Sequence, residues 1–309
     1  MDIQNLIHNY NTKTLIYNKK NNWFVYEQDR MCSGLRVIAD DGTVVVGRTL
    51  EFGENILKFR KFVNGRIRGI STPDGKLLDG INKFGLVVMV FYFKNYAKYG
   101  CPSQTKLNIK PTEVSLYLLE NAKNIKEVAA IVPKLNVVHE TYPPFTETPP
   151  MHWFVTDNSG KSVVLEPSDN GKISLYENKM GIMSNSPTFP EHMSSATKAL
   201  EHLSPISDPN APSQGTGALG LPGDFSSESR FIRLAFFSQT VEIPRTSAGA
   251  VNTVFHVLNN FDIPKGVVAS INMNTGKHVY EKTIYTAVYN LKTKEIVFKD
   301  YNNQVIRKL

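Results

Sequence analysis

Two β-branched runs, LRVIA (35–39) and TVVVGRTL (43–50), stand on either side of the dipeptide Asp41-Gly42. Aspartate-glycine between such runs is a strong hairpin signal, because glycine accepts the positive φ that a tight turn demands. With a two-residue turn there, Val44 faces Ala39, Val46 faces Val37 and Cys32 falls opposite Glu51. Strict alternation then sends Arg48 to the face away from Glu51. A bulge near Thr49 or Leu50 would return it to the thiol side. The hairpin therefore sets a thiol beside a carboxylate, with a guanidinium one irregularity away.

Downstream, GLVVMVFYF (85–93) predicts a buried strand. PTEVSLYLLENAKNIKEVAAIVPKL (111–135) has helical spacing, with Thr112 as the candidate cap and a break at Asn124. HWFVTD (152–157), SVVLEP (162–167) and ISLYE (173–177) predict a meander. Residues 204–224, rich in Pro, Gly and Ser, predict a loop. Helices are expected over 226–241, behind serine caps, and over 251–261, and two strands around LKTKE in 281–301. Blocks of strands and helices follow one another with little βαβ alternation. That order predicts an α+β fold in which helices cover antiparallel sheets. No repeat and no internal boundary stands out, so residues 32–309 read as a single domain.

The hydrophobic fraction of 41% suffices for a large core. The net charge of +7 comes from scattered lysines, with no basic stripe or nucleic-acid motif, so no nucleic-acid partner is expected. No apolar run approaches the roughly eighteen residues of a membrane span. Residues 1–31 lack an apolar h-region and a small-residue cleavage site, so they read as a leader or pro-segment rather than a secretory signal. The cytoplasm is the expected compartment, with the periplasm left open. His152, His192 and His256 lack metal-ligand spacing, and GLPGDF lacks the phosphate-loop pattern; no metal or cofactor is expected.

Two cysteines make no disulfide framework. Cys101, in a loop, reads as a bystander. Cys32 taken alone is a small buried hydrophobe; beside arginine it gains nucleophilic character. If Met31 is the true start, or residues 1–31 are removed, Cys32 heads the chain. Its α-amine, with a reference pKa of about 7.7–8.0, then lies close to the thiol reference of about 8.5. The amine can take the thiol proton, so nucleophile and base belong to one residue, and Glu51 would hold the amine. A separate histidine base, His152 or His256, is the alternative. Read singly, Asn185 before Ser-Pro is a turn former, Arg230 and Arg233 are helix surface, and Tyr92 is core.

Together these residues gain a meaning. CSGLRVIADDGTVVVGRTLEFG (32–53) resembles the N-terminus of the choloylglycine hydrolase and penicillin V acylase family of N-terminal-nucleophile (Ntn) cysteine hydrolases. GINKFGLVVMVFYF, PPMHWFVTDNSGKSVVLEP, MSNSPTF, GLPGDFSSESRFIRLAFF and VFHVLNNFDIPKGVV continue the likeness in order, over essentially 31–309. The resemblance implies a four-layer αββα sandwich with two antiparallel sheets. It implies hydrolysis of linear amide C–N bonds of N-acyl compounds, penicillin V or conjugated bile salts, through a thioester acyl-enzyme. Members are often homotetramers, and the partner is a small-molecule acyl amide.

By the same resemblance the nucleophile falls on Cys32 and the thiol-contacting arginine on Arg48. Glu51 stands where the family usually has aspartate. Asn185 would donate its side-chain amide to the oxyanion, and Arg230 would favour the thiolate and the developing charge. Tyr92 falls at a variable position, Asn in bile-salt hydrolases and Tyr in penicillin V acylases, whose backbone N–H would complete the oxyanion hole. Two alternatives remain: a catalytically silent acyl-amide binder with Cys32 blocked by the leader, and an N-acyl homoserine lactone acylase.

Overall fold

The computed structural model describes residues 15–18, 23–26, 31–53, 58–142, 148–271 and 278–309. Its centre is two seven-stranded sheets. In the first, the strands run in the order 172–177, 162–169, 151–156, 87–92, 77–82, 67–71, 60–64. In the second, the order is 182–183, 32–38, 44–53, 278–290, 296–300, 303–308, with 268–271 also paired to the long strand 278–290. Every pairing within both sheets is antiparallel. Upstream, 15–18 pairs with 23–26 as a separate two-stranded ribbon.

The apolar run around 85–93 shows how the layers form. Side chains alternate across a strand. Val87, Met89 and Phe91 enter the core shared with the second sheet, while Leu86, Val88 and Val90 join Leu118 and Val128 under the helices 111–121 and 125–131. A strand buried on both faces has no polar face to show, hence the unbroken hydrophobic run. On the far side, the helices 227–240 and 247–258 cover the second sheet, with Val254 and Leu258 against the space over Gly47. The result is the four-layer αββα sandwich.

Several sequence expectations need correction. The hairpin turn is a three-residue loop, Asp40–Gly42, with Ala39 N–H donating to Thr43 O and Gly42 at φ +75°. Val37 thus pairs with Val45, and Cys32 with Leu50 rather than Glu51. The helix at 111 starts with Pro111 in its first turn, behind Lys110, which makes no side-chain cap; Thr112 sits inside it and donates its hydroxyl to Glu140. The break expected at Asn124 is present: the first helix ends at Asn121, and Asn124 caps a second helix, 125–131, accepting from Glu127 N–H at 3.0 Å. The helix expected from 251 begins at Ser247 behind Thr246. Ser226 caps the helix before it, as expected. A helix over 189–200, unforeseen, is fixed by a Thr188/Glu191 capping box with Pro190 in its first turn. Among the described residues, no helix is long and apolar enough to cross a membrane.

Candidate active site

The corrected register decides which side chains meet. Gly34 lies opposite Arg48, and residues 32 and 34 share a face, so Arg48 reaches the thiol side with no bulge between the two strands. Its Nη2 donates to Cys32 Sγ at 2.7 Å. Gly34 is required here: a Cβ on it would come within 2.8 Å of Phe91 on the facing sheet. That close approach also lets Arg48 cross the gap and donate to Val90 O at 2.7 Å. The Phe91 ring lies under the guanidinium, 4.9 Å from its carbon to the ring centroid.

Four further residues expected at the site surround Cys32. Asn185 Oδ1 accepts from Cys32 N–H at 2.7 Å, and its Nδ2 donates to Tyr92 O at 2.9 Å. Arg230 donates to Cys32 O, to Ser33 Oγ at 3.0 Å and to Asn185 Oδ1 at 2.8 Å. These hydrogen bonds go to the backbone and side chains around the cysteine, and the charge acts on the thiol from there, in the direction expected for Arg230. Glu51 is buried beside them, and its Oε1 accepts from Thr283 at 3.0 Å. Cys32 N–H is therefore held by Asn185 and not by Glu51. Among the described residues, Glu51 Oε2 is buried with no hydrogen-bond partner.

Burial pushes the Cys32 thiol above its ordinary pKa; Arg48 and Arg230 pull it back, while Glu51 adds to the rise. Burial likewise pushes Glu51 up to about 8, against the pull of Arg230 and Arg48. For Arg48 burial acts downward, but Cys32, Tyr285, Asp79 and Glu51 outweigh it and hold the guanidinium above its usual value.

Cys32 lines an apolar pocket. Leu50, Phe52, Leu77, Val90, Tyr92 and Met151 form its walls, and Thr72, Lys76, Thr112 and Tyr142 bring the polar groups. Tyr92, at the variable position, is half-buried and lines this pocket.

The two histidines considered as separate bases lie elsewhere. His152 is buried, with Nδ1 3.6 Å from Glu166 and its ring stacked on Phe93; His256 is exposed on the helix 247–258. Cys101 is exposed. Sequence reasoning weighed His192 only as a metal ligand and passed over Ser227; His192 Nε2 lies 2.9 Å from Asn185 O, and the Ser227 hydroxyl accepts from Asn185 N–H at 3.0 Å. That reasoning also passed over Asp79, an acid buried against Arg48 at 3.5 Å. A lone aspartate in the apolar stretch LLDGI was the available signal, since a buried charge needs a partner.

The model for linear amide C–N hydrolases of the choloylglycine hydrolase family matches residues 32–309. An uncharacterised protein of Paramecium bursaria Chlorella virus 1 is 82% identical over 279 residues, 90% of this chain and 100% of that protein. A bile salt hydrolase/transferase of Lactiplantibacillus plantarum is 32% identical, over 74% of this chain and 71% of its own. A solved cysteine-to-alanine variant of the conjugated bile acid hydrolase from Clostridium perfringens superposes with a TM-score of 0.75 at 26% identity, covering 90% of this chain and 92% of that one. With the αββα layers and the cluster around Cys32 in the same chain as a family match over residues 32–309, this protein belongs to the choloylglycine hydrolase family of linear amide C–N hydrolases.

Proposed function

We propose that the protein hydrolyses N-acyl amides with Cys32 as an N-terminal nucleophile. The observation that carries this reading is the Arg48 guanidinium, 2.7 Å from a thiol that opens onto an apolar pocket. In this reading the free α-amine of Cys32 draws off the thiol proton and the thiolate attacks the amide carbon. Asn185 Nδ2 and the Tyr92 N–H receive the oxyanion; one Nδ2 hydrogen is engaged by Tyr92 O, leaving the second for the substrate. The ammonium then protonates the leaving amine, and water hydrolyses the thioester. Solved variants of the Clostridium perfringens enzyme change a cysteine and an arginine spaced as Cys32 and Arg48 are here, which supports the pairing.

Glu51 gives the amine a place. Burial holds its carboxyl up at about 8, and an ammonium arriving beside it would favour the charged form. With residue 31 attached, Cys32 offers only a peptide N–H. The active form is therefore expected to begin at Cys32. The viral relative, matched over its whole length, spans 279 residues, as many as run from Met31 to Leu309. Intact mass spectrometry of protein purified from cells, fractionated by activity, checks this. A chain still carrying Met1 with full turnover would overturn it.

The pocket also suggests a substrate preference. An aromatic ring at Tyr92 narrows the site and offers a stacking face to a flat acyl group. The walls provide few partners for the hydroxyls of a steroid. Penicillin V turnover is expected to exceed glycocholate turnover by about tenfold, the scale on which shape discriminates in an apolar pocket. Tyr92→Asn should move the ratio toward the bile salt. The relative from Lactiplantibacillus plantarum, named a bile salt hydrolase/transferase, favours the opposite order. Glycocholate as the better substrate of the unaltered protein would establish that order and leave the amidase reading intact.

A further inference from the structure

Beneath Arg48, between the two sheets, lies a buried acid that the proposed chemistry does not consume. Asp79, on the strand 77–82, is fully buried. Its two oxygens accept from the hydroxyls of Tyr285 and Tyr289, one each, both on the strand 278–290. The oxygen that takes Tyr285 also lies 3.5 Å from Arg48 Nη1. Three elements thus converge on one guanidinium. Asp79 and Val90 O take Nη1, Thr49 O takes Nε at 3.2 Å, and Nη2 alone is turned to the thiol.

We propose that Asp79, with Tyr285 and Tyr289, is a positioning clamp that holds the Arg48 guanidinium against the Cys32 thiol. The inference rests on the reading of Cys32 as the nucleophile. A guanidinium carries its five donors in one rigid plane, so fixing Nη1 and Nε fixes where Nη2 points. Burial pushes the Asp79 carboxyl above its ordinary value; Arg48 and the two hydroxyls act against that rise and favour the carboxylate. Without the hydroxyls, a neutral acid would lose its hold on Arg48.

The clamp makes a prediction whose sign separates it from a plain counter-charge. The charged and titratable groups facing the pair are Asp79, Glu51, Arg230, Tyr285 and Tyr289; the strand 87–92 contributes the Phe91 ring. If Asp79 were only a nearby anion, neutralising it would relieve repulsion on the thiolate, and the thiol pKa would fall. If Asp79 is a clamp, neutralising it frees Arg48 to leave Sγ. The thiol then loses its nearest cation, and its pKa rises. In Asp79→Asn the new amide also presents N–H groups where two hydroxyls and a guanidinium already donate, which drives Arg48 away.

The test is the pH dependence of iodoacetamide alkylation of Cys32, followed by peptide mass mapping in a Cys101→Ala background. It reads the thiol directly and needs no turnover, so it stands apart from any failure of the amidase reading. Asp79→Asn is expected to move the midpoint upward by about one pH unit. The amidase kcat should fall by about a hundredfold, the scale of an ångström misplacement, with KM little changed. Tyr289→Phe and Tyr285→Phe should shift the midpoint in the same direction by less, and they decide the matter if Asp79→Asn does not fold. A midpoint unchanged in every folded variant, or lowered, overturns the clamp.

Discussion

Cys32→Ser is expected to abolish all but a trace of amide turnover while the protein stays folded. The exchange replaces one buried atom by a slightly smaller one on a strand held by seven paired positions, so packing hardly changes. The chemistry changes far more. A serine hydroxyl ionises far above the pKa of the α-amine, so proton transfer to the amine is much less favourable than from a thiol, and the nucleophile is weaker. A fall in kcat of roughly 10⁴-fold or more is expected, the scale seen when the nucleophile is removed from a catalytic unit. The measurement is the initial rate on penicillin V and glycocholate, with circular dichroism as the check on folding. Mass spectrometry adds a second readout. The parent protein quenched during turnover should carry an acyl group on Cys32, and the serine variant should carry none. The intact mass of the variant also shows whether residues 1–31 are gone, which separates failed processing from failed catalysis. Cys101→Ala inactive beside a normal Cys32→Ser would move the nucleophile to the other cysteine.

What the sequence made legible, and what it hid, follows from the range of the forces involved. Strands and the α+β class could be read because alternation and β-branching act over a few residues. So could the family likeness, which brought Cys32, Arg48, Glu51, Tyr92, Asn185 and Arg230 to attention, and the structure places all six around one thiol. The register of the first hairpin was missed by one residue. Asp41-Gly42 signals a tight turn equally in a two-residue and a three-residue loop, and the choice between them flips every downstream side chain. That single residue is the difference between an Arg48 that needs a bulge and one that meets the thiol directly. The helix 189–200 hid behind Ser-Pro and Phe-Pro, although Thr188 and Glu191 carried its capping signal. Asp79 could not be assigned at all. Its partners Tyr285 and Tyr289 lie more than two hundred residues away, and no local pattern reports a contact made across two sheets.

Asn185→Ala carries the second large effect. Its side chain is a junction: Oδ1 takes Cys32 N–H and Arg230, while Nδ2 holds Tyr92 O. Its backbone is pinned on both sides, with N–H on Ser227 and the carbonyl 2.9 Å from His192 Nε2. Burial holds the His192 ring down at about 4, so at neutral pH it is uncharged and donates from Nε2. Loss of one oxyanion donor costs about 2.7–4 kcal/mol of barrier, so kcat should fall by about 10²- to 10³-fold with KM changed far less. Alanine also strands Arg230 and Cys32 N–H, so a lower melting temperature is expected with it. Asn185→Asp separates the two effects. It keeps an acceptor for Cys32 and Arg230, and gains an ion pair with the latter, but it has no N–H to give an oxyanion. It loses the bond to Tyr92 O and sets an acceptor against that carbonyl, so its melting temperature should fall, but less than that of alanine, and it should still lose rate as alanine does. An aspartate variant within a fewfold of parental kcat would show that Asn185 serves only to hold Cys32 and Arg230 in place, and the oxyanion would then need another donor.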